Sequence, residues 1–117
     1  MIYYKPIFAV FPPCSEEELR SAFAQYQFKA ILEDESNARG SSLAAAKGLE
    51  INPVHTFADR QVAETLIQTN AKRGGPAVAV RLVQRDPQTQ MLIVPETGER
   101  RVVWLVGANC PVYEEAI

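Results

Sequence analysis

Three apolar, largely β-branched runs lie close together between Pro76 and Gly107, and they constrain the fold more than any other stretch: Ala77-Val78-Ala79-Val80-Arg81-Leu82-Val83, Met91-Leu92-Ile93-Val94 and Val102-Val103-Trp104-Leu105-Val106. Short runs rich in Val, Ile and Leu read as strands. Arg85-Asp86-Pro87-Gln88 separates the first pair and Glu96-Thr97-Gly98-Glu99 the second. Pro presets the φ of a turn and Gly accepts positive φ, so both connections read as short turns. Strands joined by short turns are antiparallel, which predicts a three-stranded meander.

These runs are nearly continuous in apolar residues, whereas a sheet wetted on one face alternates apolar with polar. Both faces therefore need cover. One layer of helices covers one face, and the other must meet the rest of the chain, a ligand or a second copy of the protein. A chain of 117 residues, 47% hydrophobic and 22% charged, is one domain over residues 1–117 with a single ordinary core.

Upstream of the meander the pattern changes period. Ile7-Phe8-Ala9-Val10-Phe11, closed by Pro12-Pro13, reads as a first strand. Ser15 followed by Glu18 is a capping-box signature, and Glu16 and Glu17 suit the positive end of the helix dipole. Leu19, Phe23, Tyr26 and Ala30 then recur at helical spacing, predicting a helix from Glu16 to about Leu32. After a polar connection, Ser41 or Ser42 can cap a short helix over Leu43 to Lys47, with Gly48 in the left-handed position behind it. Leu49 to Val54 alternates, and Pro53 limits it to an extended segment or short edge strand. Thr56 with Asp59 opens a second long helix, Phe57 to Lys72, which Gly74-Gly75-Pro76 stops. Ala108 to Ile117 reads as a short tail. The expected class is α+β: a mainly antiparallel sheet, built from the N-terminal strand and the C-terminal meander, with both long helices packed on one face.

Chemistry-bearing residues are sparse. Cys14 and Cys110 each adjoin a proline, and two cysteines in a chain with an adequate core read as free thiols of a reducing compartment. Cys14 precedes a helix start, which favours a thiolate, but Glu16, Glu17 and Glu18 oppose one. His55 is the only histidine and so the only imidazole base for such a nucleophile. The simpler reading is a buried apolar thiol and a histidine in a loop near a helix start. No metal-ligand spacing, phosphate-binding glycine pattern or dinucleotide fingerprint occurs, so no catalytic residue, metal or cofactor is assigned. Arg39-Gly40-Ser41-Ser42 could offer a guanidinium, hydroxyls and free N–H groups to an anion. The ligand-binding candidates are thus Arg39, Ser41, Ser42 and His55.

Net charge is −2, which creates no global field toward nucleic acid. Lys72, Arg73, Arg81, Arg85, Arg100 and Arg101 face only Asp86, Glu96 and Glu99 across that stretch, so the meander is locally basic. Trp104 is its only aromatic, and arginines at strand ends serve to discourage edge pairing, so nucleic-acid binding is not expected. Without a membrane-spanning run or a secretory signal pattern, the expectation is a soluble, cytoplasmic protein. The leading functional expectation is a small binding or interaction module acting as a homodimer through the second sheet face or a sheet edge, its protein or small-molecule ligand unidentified. The alternatives are a small enzyme or ligand-binding domain with a pocket between helices and sheet, and a nucleic-acid accessory protein using the basic meander.

Overall fold

Strand pairing sets the frame. The computed structural model describes residues 2–35, 42–83 and 102–113, with backbone only at Ile2, 53–55 and Tyr113. Strands β1 (Ile2–Phe11), β2 (Leu49–Phe57), β3 (Ala77–Val83) and β4 (Val102–Tyr113) form a four-stranded sheet in the order β1-β4-β3-β2. Strand β4 is antiparallel to both neighbours, and β2 is parallel to β3. Three strands therefore run one way and β4 runs between two of them the other way, so the sheet is mixed. Among the described residues, helices α1 (Glu16–Glu33) and α2 (Arg60–Asn70) and a 3₁₀ turn (Leu43–Ala45) accompany the sheet.

Helix α1 starts where its sequence says it should. Ser15 Oγ accepts from the Glu18 N–H at 3.1 Å, and the Ser15 N–H donates to Glu18 Oε1 at 3.3 Å, a reciprocal box whose cap contributes about 1 kcal/mol. The α1 side chain of Gln27 donates to the Ala46 carbonyl at 2.8 Å, and Arg20 donates to the Leu49 carbonyl at 2.8 Å, tying the helix to the chain leading into β2. Helix α2 begins later than expected. Its N-cap is Asp59, whose Oδ1 accepts from the Gln61 N–H at 2.9 Å, because Thr56 and Phe57 are held in β2 opposite Arg81 and Leu82. Pro53 falls where the β2–β3 register shifts, between Asn52 and Thr56, as expected of a residue without an N–H to donate.

The two helices flank the sheet and do not share a face. Leu19 and Phe23 of α1 pack with Ala77, Ala79, Trp104 and Val106, whereas Ala63 and Ile67 of α2 pack with Val78, Val80, Val103 and Leu105. Successive strand residues point to opposite faces, so these are two cores on two sides. The reason is connectivity: the parallel β2–β3 pair needs a crossover, and α2 makes it over one face while α1, between β1 and β2, lies on the other. The second face of the apolar strands is thus covered by the chain itself.

The meander is corrected as well. Strand β3 pairs directly with β4, from Val78 opposite Gly107 to Val83 opposite Val102, so no third strand stands between them. The expected middle run, Met91–Val94, lies outside the described residues. The expected tail continues β4 to Tyr113, and β1 begins at Ile2, the two pairing from Ile2 opposite Tyr113 to Phe11 opposite Trp104.

Gly107 is what makes the long β4 compatible with α2. It sits opposite Phe8, and a Cβ built there would stand 2.6 Å from Phe8 Cε1 and 2.9 Å from Ile67 Cγ2, with Phe8 Cδ1 nearer still. The ring lies over the bare backbone. Gly107→Ala is expected to cost about 1–3 kcal/mol by overpacking, read from urea denaturation. The same change in a Phe8→Ala background should cost clearly less, since the colliding group is gone; strictly additive losses would disprove the contact.

Candidate functional site

Strands β1, β2 and β3 point their carboxyl ends to the same edge of the sheet, and from that edge the chain leaves β1 into α1 on one face and β2 into α2 on the other. A divergence of this kind leaves a crevice outside the strand ends, the usual place for a ligand on an open sheet. Here the crevice has a volume of about 310 Å³ and is lined by Pro13, Cys14, Ser15, Glu16, Thr56, Arg81, Val102 and Trp104.

Cross-strand register assembles it. Thr56 is opposite Arg81, Arg81 opposite Trp104, and Trp104 opposite Phe11, so one row crosses all four strands. Trp104 and Phe11 belong to the α1-side core, and directly paired residues share a face, which puts Arg81 there too. Trp104 is 3% exposed, and its Nε1–H donates to the Cys14 carbonyl at 2.9 Å. That bond fixes both the indole and the turn into α1. The Arg81 guanidinium carbon stands 5.4 Å from the indole centroid, within cation–π range.

Arg81 is the one half-buried residue in an otherwise buried strand. Among the described residues the single ion pair is Arg60–Glu64, so within that set Arg81 has no carboxylate partner. Its cation is held by a ring, which leaves the N–H donors at the edge of the guanidinium plane for another group. Ser15 is less available, its hydroxyl being committed to the α1 cap. Glu16, the first residue of α1, is exposed at the crevice mouth.

The thiols are not activated. Burial pushes the Cys14 thiol up, the nearby Glu18 carboxylate adds to the rise, and a hydrogen bond with Trp104 partly opposes it. Burial alone raises Cys110, which is 1% exposed. Both are free, as anticipated, and both shifts run away from the thiolate, the nucleophilic form.

The ligand candidates read from sequence do not form one site. Ser42 caps the 3₁₀ turn, its Oγ accepting from the Ala44 N–H at 3.1 Å, before the amino end of β2. His55 lies within β2 near the other end, next to the crevice residue Thr56, and not in a loop. Arg39 and Ser41 lie outside the described residues, as do Arg85, Arg100 and Arg101 of the basic surface. The crevice residues Arg81 and Trp104 are not among those candidates, and the signal that points to them in the sequence is a single charge inside an apolar strand run.

Among the described residues there is no cluster of three His, Cys, Asp or Glu that could hold a metal ion, and no helix is long and apolar enough to cross a membrane. Comparison of the chain with protein-family models, with curated proteins and with solved structures returns no match. A functional reading therefore stands on the crevice.

The raised thiols give a pH dependence of fixed sign. A folded-state pKa above the unfolded one stabilises fully below the unfolded value, about 8.5 for a thiol, and that stability is lost as pH rises through the folded value. The urea midpoint is expected to fall from pH 8 to pH 10, and to fall less steeply in Cys110→Ala, even though that variant starts lower because of its cavity. In the same samples iodoacetamide at pH 7 should label Cys14 slowly and native Cys110 hardly at all. An equal slope in the variant, or rapid labelling of Cys14, would contradict the assignment.

Proposed function

We propose that this chain is a ligand-binding domain that takes a small acidic molecule, bearing a carboxylate or phosphate, in the crevice at the strand ends. The observation that carries the reading is the Arg81 guanidinium, held over Trp104 in the crevice without a carboxylate partner among the described residues. A stacked guanidinium is pre-aimed: its planar fork suits bidentate recognition of a carboxylate or phosphate, and little freedom remains to be lost on binding. A volume of about 310 Å³ is at the small end of ligand sites and suits a metabolite. Binding without turnover is the form we favour, since the shift of the crevice thiol runs away from the nucleophilic thiolate.

A second reading keeps self-association. With α2 on the second sheet face, the surface we favour for a homodimer is the sheet edge, where among the described residues β1 exposes Tyr3, Tyr4 and Val10. Light scattering at micromolar concentration that returns twice the 13.0 kDa chain mass would support this, and a monomer across that range would remove it. The nucleic-acid reading has less support, because Arg81 lines a crevice and the chain carries a net charge of −2.

The binding test has a built-in reporter, since Trp104 is the only tryptophan of the chain. Titration with inorganic phosphate, acetate and malonate is expected to change its emission saturably for at least one of them. Arg81→Gln should abolish that response, and Arg81→Lys should weaken it about tenfold, one good charge-assisted bond being worth about 1.4 kcal/mol or more. Emission unchanged by all three probes, or the same response in Arg81→Gln, would overturn the reading.

A further inference from the structure

We propose that the ligand is a zwitterion of amino-acid size, whose acidic group meets Arg81 and whose ammonium group meets Glu16; this rests on the anion-binding reading above. Among the described residues two charged ones line the crevice, and they are opposite in sign: Arg81 from β3 and Glu16 from the first turn of α1. The other described lining residues are neutral. Opposite charges that share a small crevice would ordinarily close into an ion pair, yet among the described residues Arg60–Glu64 is the only one.

Each charge is kept in place by its own element. Arg81 is held by the indole of Trp104. Of the three glutamates that open α1, Glu18 is folded back onto the Ser15 N–H and Glu17 does not line the crevice. Glu16 alone of the three faces the crevice, from the exposed start of the helix.

Charge pattern then selects the ligand. A simple anion drawn to Arg81 is repelled by Glu16, and a simple amine suffers the reverse, whereas a molecule carrying both signs gains from both. The remaining lining offers Thr56 as a hydroxyl and Pro13 and Val102 as modest apolar surface. At about 310 Å³ there is room for a free amino acid or a compound of that class.

The experiment follows Trp104 emission and titration heat with three matched sets: free glycine, serine and glutamine; their N-acetyl forms, which keep only the acid; and their methyl esters, which keep only the amine. At least one free amino acid is expected to bind ten times or more tightly than both its derivatives. Glu16→Gln should bring it down to the level of its N-acetyl form while leaving that form unchanged or tighter. Arg81→Gln should bring it down to the level of the ester. Glu17→Gln, on the same helix turn but outside the crevice, should change nothing, and unchanged thermal melting would show that each variant is folded. N-acetyl forms binding as tightly as the free amino acids, or Glu16→Gln without effect, would overturn the zwitterion while leaving the anion site standing. Failure of every acid-bearing probe, phosphate included, would take down both.

Discussion

Strand β4 is the element on which the rest of the structure depends. It pairs with β1 from Trp104 to Tyr113 and with β3 over 102–107, and both of its faces are buried over most of that length. A strand buried on both sides needs two covering layers, and a chain of this size provides them by sending one helix to each face. The α1 side holds the Phe11 and Phe23 rings edge to face at 6.1 Å, whereas on the α2 side Phe8 and Phe57 are partly buried against aliphatic side chains around Ile67. Register, with Trp104 opposite Phe11, places the indole, and with it the crevice, on the α1 side.

Much of this was legible in local pattern and little of it in topology. The capping box at Ser15, the span of α1, β3 over Ala77–Val83 and the restriction imposed by Pro53 all follow from interactions within a few residues, and sequence displays those directly. Thr56 reads as the opening cap and Phe57 as the first helical residue because a capping signal at Thr56 competes with pairing to β3, and pairing wins by placing Phe57 against the α2-side core. Gly107, Asn109 and Pro111 hid the second half of β4, since each disfavours a strand locally. What stabilises them there is β1 alongside, a partner about a hundred residues away in the chain.

The candidate site was hidden for a related reason. Arg81 and Trp104 are far apart in sequence and meet only through the β3–β4 register, which cannot be deduced from the two runs when the connection between them is long. Arg39-Gly40-Ser41-Ser42 looked like an anion site because its residue types sit side by side in the chain. Ser42 instead spends its hydroxyl on a 3₁₀ turn. Adjacency in sequence favours caps and turns, whereas a ligand crevice at strand ends draws one residue from each of several strands.

Arg81 also bears on how the register itself is fixed. The strands around it are apolar on both faces, so hydrophobicity alone distinguishes poorly between the observed pairing and one in which β3 is turned over by a single residue. Turning it over would carry the guanidinium to the α2 side, among Ala63, Ile67, Val103 and Leu105, where burying an unpaired cation costs several kcal/mol. On the α1 side the same group meets an indole face and an open crevice at 5.4 Å. One charge in an apolar strand thus penalises the wrong register, and in the right one it sets a guanidinium over an indole at the strand-end crevice.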